Sequence, residues 1–198
     1  MNHLISEINS YPFDKLRKLL SAVSPNKKGN PFINLSIGEP QKNSSAEVLK
    51  ILTKNKKLFS QYPPMDSIHD LNSAYKHYLN KRFGIKDVTE KNILNLGGTR
   101  EGTFSVIQSL FNRENKSKRP YVLMPNPFYQ IYGGATLLAG GVSKHINLID
   151  TKNFSLDLGS IKSDIWRKCQ ILVLCSPSNP TGSVTVSYTH LTLPTNIG

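Results

Sequence analysis

Three segments of this chain carry residue types suited to holding an anion, a flat ring and a polar ring substituent. The first is LNLGGTREGTF, residues 94–104. It reads as a strand that passes through a Gly-Gly turn into a helix. Such a turn aims free backbone N–H groups and the positive end of the helix dipole at one spot. Thr99 adds a hydroxyl donor, so a phosphate fits there. The pattern is neither GxGxxG nor a Walker loop, since no Gly-Lys-Ser/Thr follows the glycines. An ordinary tight strand–helix turn has the same composition.

The second segment is MPNPFYQIYGG, residues 124–134. It also follows a strand and so falls on the same C-terminal sheet edge, where α/β proteins bind ligands. An aromatic there can stack on a flat ring; equally, Phe128, Tyr129 and Tyr132 can pack on the sheet. The third is LCSPSNPTG, residues 174–182, which presents the Asn179 amide at that edge. The Asn179–Pro180 bond is a candidate cis peptide, and a plain Pro/Gly-rich turn is the alternative reading. Two extended segments, NLSIGEP (34–40) and QYPP (61–64), lie outside this core, and composition assigns them no role.

The elements that position these segments follow from apolar spacing and breakers. Helices are expected over 12–22, 46–54 with Ser45 as cap, 68–83 ended by Gly84, 100–111, 128–139 and 164–168. Leu71, Tyr75, Tyr78 and Leu79 would form the apolar face of the 68–83 helix. Strands are expected over 32–37, 93–96, 121–124, 142–148 and 171–175, with a loop at 125–127. The runs YVLM and ILVLC lack alternation, as strands covered on both faces do. From residue 91 onward, strands and helices alternate, which predicts an α/β fold with a mostly parallel sheet.

Composition narrows the function classes. Of 198 residues, 38% are hydrophobic and 19% charged, as in ordinary globular chains. No run of about 18 apolar residues signals a membrane span, and the N-terminus lacks the apolar stretch of a signal peptide. The net charge of +12 admits a nucleic-acid-binding domain as a different class of function. The lysines, however, are scattered among Asn and Ser with no aromatic interleaving, which reads as a solvated surface. Cys169 and Cys175 have no metal-ligand spacing, and Cys175 ends an apolar run, which reads as a buried thiol in a reducing cytoplasm.

Taken together, SIGEP, QYPP, GGTRE, PNPFYQIY and SPSNPTG resemble, in order and spacing, the fold-type I, class I/II pyridoxal-phosphate aminotransferases over about residues 4–185. Within that family YPFDKLRKLL, LSIGEP and MPNPFYQIY are similar to phrases of the bacterial N-succinyldiaminopimelate subgroup. The resemblance implies a soluble cytoplasmic enzyme, homodimeric at full length, with pyridoxal 5′-phosphate as cofactor. It would move an amino group between glutamate and a keto-acid, expected to be N-succinyl-2-amino-6-ketopimelate in lysine and diaminopimelate synthesis. An aspartate or aromatic aminotransferase is the alternative. No metal, nucleic acid or membrane is implied.

The implied roles fall on particular residues. Gly98, Thr99 and Arg100 would hold the cofactor phosphate, Tyr129 would stack on its ring, and Asn179 would bond its 3-oxygen. Tyr62 would reach the phosphate of a partner subunit, and Ile37 and Gly38 would lie near the substrate carboxylate. The chain departs from the subgroup at Gly97, Ser67, Leu71-Asn72 and Gly102.

In the family, the lysine that forms the Schiff base and the arginine that clamps substrate lie downstream of NPTG. No lysine here is therefore assigned as catalytic, and the chain is expected to be an inactive N-terminal fragment. Its expected divisions are an arm over 1–55, the first half of the large cofactor domain over 56–185, and a tail over 186–198. That tail has no charge and no helical period, and reads as non-native.

Overall fold

A computed structural model of the chain describes residues 3–7, 12–24, 33, 35–36, 38–40, 42–62, 68–112, 119–149 and 153–185. The chain divides into two compact units, one of Met1–Ser10 with Leu96–Gly198 and one of Tyr11–Asn95. The expected tail from Val186, most of the expected strand at 32–37, and Ile37 lie outside the described residues.

The first unit is α/β. Its sheet has strands β1 (Tyr121–Asn126), β2 (Val142–Asn147) and β3 (Cys169–Leu172), in the order β2-β1-β3 with both pairings parallel. The central strand is the buried one: Val122, Leu123 and Met124 are shut off from solvent, as the unalternating run predicted. β1 continues through Pro125 to Asn126, where a loop was expected, and runs in register with Ile146 and Asn147 of β2. Proline is tolerated in a strand where no ladder bond needs its missing donor.

Two apolar clusters cover the two faces of β1. Side chains alternate between faces along a strand, so Val122 and Met124 join Ile107, Phe111, Tyr132, Ala135 and Ala139, while Leu123 joins Ile146, Leu158 and Trp166. The first cluster is built on helices α4 (Thr99–Leu110) and α5 (Ile131–Leu138); the second includes Trp166 of the short α6 (Ser163–Trp166). The α5 helix starts three residues later than the sequence suggested, because Pro127 to Gln130 form the turn out of β1.

The run ILVLC behaves differently from YVLM. β3 spans Cys169–Leu172 rather than 171–175, and its residues are half-buried or exposed. Among the described residues β3 pairs only with β1, so one edge is open. Beside it lies an apolar groove of about 490 Å³, with Leu96, Val106 and Leu110 on one wall and Ile171 to Leu174 on the other. Cys175 is accordingly half-buried, not the core thiol expected. The expected strand at 93–96 has no strand geometry and pairs with nothing described.

The second unit holds α1 (Pro12–Leu20), α2 (Ala46–Lys54) and α3 (His69–Phe83). Local signals read correctly here. Ser45 accepts a hydrogen bond from Val48 N, and Gly84 ends α3 at φ +70°, a left-handed conformation that favours glycine. The face predictions did not hold: Leu71, Tyr75 and Tyr78 are about half exposed. The residue of α3 that is fully buried is Asn72, whose Oδ1 accepts a 3.0 Å hydrogen bond from Asn95 Nδ2. His69 at the start of α3 pairs with Glu90 at 2.9 Å.

Candidate functional site

The site is built at the C-terminal edge of the sheet. β1 and β3 are parallel neighbours, so the segments that leave their ends, 127–130 and 173–182, emerge at the same edge. Helix α4 reaches that edge from the other side. Its C-terminal end is fixed at the start of β3, where Asn112 N donates to Gln170 Oε1 at 3.0 Å and Gln170 Nε2 donates to Asn112 O at 3.2 Å. Twelve helical residues rise about 18 Å, which carries Gly98 and Thr99 past the short β3 to the opposite edge. Thr99 and Leu174 accordingly line the same groove.

At α4 the helical ladder starts with Gly102 N donating to Gly98 O at 3.0 Å, and no side chain caps the helix. The amides of a first helical turn have no intrahelical acceptor and attract anions. The Glu101 carboxylate lies beside Gly98 at this helix start. Its Oε2 lies 2.5 Å from where a Cβ on Gly98 would stand, so only glycine leaves room for the carboxylate there.

Tyr129 is half-buried against the first cluster and meets Tyr132 edge-to-face, with centroids 5.7 Å apart. Phe128 stacks on His145, centroids 4.9 Å apart, so the packing role weighed for the three aromatics holds for Phe128, Tyr129 and Tyr132 alike. Tyr132 is 8% exposed. Burial, then the neighbouring Cys175 and Tyr129, push its phenol up to about 12. Burial also raises the Cys169 thiol.

The 174–182 loop is closed by its own hydrogen bonds. Gly182 N donates to Ser178 O at 2.7 Å, Ser178 N to Ser183 O at 2.8 Å, and Thr185 N to Ser176 Oγ at 3.0 Å. Gly182 sits at φ +71°, where a side chain is disfavoured. The Asn179–Pro180 bond is cis, as the sequence suggested. Asn179 is exposed while Ser178 beside it is 9% exposed, and the Ser178 Oγ has no hydrogen-bond partner among the described residues.

Gly98, Thr99, Arg100, Tyr129 and Asn179 thus all belong to the first unit. Gly38 and Tyr62 belong to the second, both exposed, Tyr62 completely. The donor set fits a phosphorylated aromatic cofactor: a helix N-terminus free of a side-chain cap, a half-buried ring, an outward amide and an orphaned hydroxyl. Sequence reasoning missed the Asn72–Asn95 pair, which needs a tertiary neighbour and leaves no local signal. Among the described residues no cluster of His, Cys, Asp or Glu can hold a metal ion, and no helix is long and apolar enough to cross a membrane.

Comparison with known proteins agrees with this architecture. Residues 30–189 match the family described as aminotransferase class I and II, and the chain belongs to that family. It is 30% identical over 192 residues to an LL-diaminopimelate aminotransferase of Natranaerobius thermophilus, covering 95% of this chain and 48% of the relative. It is 32% identical over 156 residues to a probable aspartate aminotransferase of Methanocaldococcus jannaschii, covering 77% and 39%. Among solved structures, an aminotransferase from Neisseria meningitidis superposes with a TM-score of 0.85 at 33% identity, over 96% of this chain and 47% of that one. The chain spans about half the length of the curated relatives it matches.

Proposed function

We propose that the chain binds pyridoxal 5′-phosphate at this sheet edge and is part of an aminotransferase moving an amino group between glutamate and a keto-acid. The observation that supports this is the convergence there of an uncapped helix N-terminus, a half-buried tyrosine and an exposed asparagine. Gly98, Thr99 and Arg100 take the phosphate, Tyr129 lies against the ring, and Asn179 donates to its 3-oxygen. The bound cofactor supplies an electron sink for the charge left when a substrate α-proton departs. The chain's own residues bind and orient: the α4 dipole neutralises phosphate, and the closed loop holds Asn179 in place. Tyr62 serves the cofactor of a partner subunit in a homodimer, and Ile37 and Gly38 face the substrate carboxylate.

The proposed keto-acid is N-succinyl-2-amino-6-ketopimelate, in cytoplasmic lysine synthesis. The relatives named LL-diaminopimelate aminotransferase support a diaminopimelate-type substrate. The aspartate aminotransferase relative favours aspartate as the second reading. The division into 1–55, 56–185 and a non-native 186–198 is part of the same proposal, as is the absence of a catalytic lysine.

Two measurements test it. The chain should quench its tyrosine fluorescence on titration with pyridoxal phosphate, and Asn179→Ala should weaken binding about fivefold, the order of one lost hydrogen bond. The contiguous gene, expressed whole, should turn over glutamate with the succinylated keto-acid. Activity confined to aspartate would replace that substrate, and glutamate-dependent turnover by the 198-residue chain alone would refute the missing lysine.

A further inference from the structure

The edge of the sheet opposite the candidate site gathers positive charge. β1 and β3 run parallel and start side by side, Tyr121 against Cys169. Tyr121 N donates to Lys168 O at 2.7 Å and Val142 N to Pro120 O at 2.9 Å, so the entrances of β1, β2 and β3 meet there. A cavity of about 390 Å³ opens at this edge, with Arg119, Asp164, Arg167, Lys168 and Gln170 in its wall. Six strand residues rise about 20 Å. The cavity therefore stands a full strand length from the edge that carries Tyr129 and Asn179.

Two of the three cations in the wall are held in place. Arg119 donates from Nε to Gly140 O at 3.2 Å and from Nη2 to Gly141 O at 2.9 Å. A guanidinium has about five N–H groups, so its remaining donors are free for a ligand. Lys168 Nζ lies 5.5 Å from the centroid of the Tyr121 ring, and Lys144 Nζ lies 4.9 Å from it. One ring thus draws two ammonium groups together and sets Lys144 close to the charges of the wall. Among the described residues none of these cations has an ion-pair partner; the ion pairs there are Asp14–Arg17 and His69–Glu90. Asp164 is the one carboxylate among the lining residues, so three cations against one anion leave an excess of two positive charges. Cations fixed before a ligand arrives lose little freedom on binding it.

We infer that this cavity is a second anion site, suited to an oligophosphate: inorganic pyrophosphate or the phosphate chain of a nucleotide. The excess of two charges favours a multivalent anion over a monoanion. Guanidinium forks match pairs of phosphate oxygens, and Arg119 and Arg167 supply two of them. Tetrahedral phosphate oxygens reach cations in several directions at once, which planar carboxylates do not. The volume falls within the range of small-molecule sites. The inference does not rest on the cofactor reading, because the two sites share no residue.

Calorimetric titration with pyrophosphate at low ionic strength tests it. Arg167→Gln and Lys168→Gln should each weaken binding about three- to fivefold, the order of an exposed charge contact. Asp164→Asn should tighten it by about the same factor. Arg119 is left intact, because its bonds to Gly140 and Gly141 also secure the turn before β2. Lys50→Gln, on α2 in the other unit, changes the net charge equally and should have no effect. On titration, amide resonances of Arg167, Lys168 and Gln170 should shift. Adenosine diphosphate, matched in phosphate number, separates the sources: tighter binding than pyrophosphate assigns a nucleotide, equal binding the phosphate chain alone, and both support the site. An equal loss in Lys50→Gln, shifts confined to Gly98–Gly102, or tighter binding of citrate than of pyrophosphate would overturn the inference. So would an oligodeoxynucleotide that binds more tightly than both phosphates and loses as much in Arg167→Gln and Lys168→Gln, since the surface would then serve nucleic acid.

Discussion

The same substitution, glycine to alanine, should have opposite consequences at two positions of the first unit. At Gly102, the fourth residue of α4, alanine gains about 0.5–1 kcal/mol from helix propensity. The added methyl meets the Leu96 side chain, but Leu96 is half exposed and can rotate away, at a cost below about 1 kcal/mol. The net expectation is neutral to stabilising. At Gly141 the methyl would stand 2.7 and 2.8 Å from two Phe111 ring carbons and 3.1 Å from Thr136 Cγ2. Carbon atoms rest at about 3.5–4.0 Å, so the ring must retreat by roughly 0.7 Å or more. Phe111 is 6% exposed and packed against the first cluster, so it has nowhere to go. Overpacking of this kind costs about 1–3 kcal/mol. The two variants should therefore differ by about 1–4 kcal/mol. Urea unfolding followed by the single tryptophan, Trp166, buried in the other cluster, measures this directly. A Gly141→Ala midpoint equal to that of the parent chain, or a Gly102→Ala midpoint as low as that of Gly141→Ala, would refute the packing argument.

Three further outcomes follow. Tyr132 has a folded pKa of about 12 against 10.0 unperturbed, so the folded state holds its proton more tightly. Stability should be undiminished by this group below about pH 10 and fall as pH rises towards 12; ultraviolet titration should show one late-ionising tyrosine that Tyr132→Phe removes. Asn72→Ala should cost the second unit about 1–3 kcal/mol by breaking the buried bond to Asn95 and leaving its amide unpaired; a chemical denaturation midpoint unchanged within error would count against that role. Glu101→Gln removes an anion from the α4 N-terminus and should tighten inorganic phosphate binding about two- to fivefold, read by calorimetry; weaker binding would show that the carboxylate does not compete there.

What was legible in the sequence was local. Ser45 and Gly84 bracket their helices because a cap needs only the chain within one turn of it. The apolar run YVLM announced β1 because covering both faces of a strand leaves no polar position. The family segments marked the sheet edge, because backbone turns, a ring and an amide are written in consecutive residues. Which apolar runs would be covered was not legible. ILVLC has nearly the composition of YVLM, yet among the described residues it lies at the sheet edge and stays half-buried, since burial depends on neighbours from elsewhere in the chain. Tertiary structure alone decided that Asn72, in place of Leu71 or Tyr75, is the buried side chain of α3. It alone paired Asn72 with Asn95, 23 positions further along the sequence. Spacing along the chain sets direction and period; only the parallel pairing of β1 with β3 brings the segments that follow them to one edge.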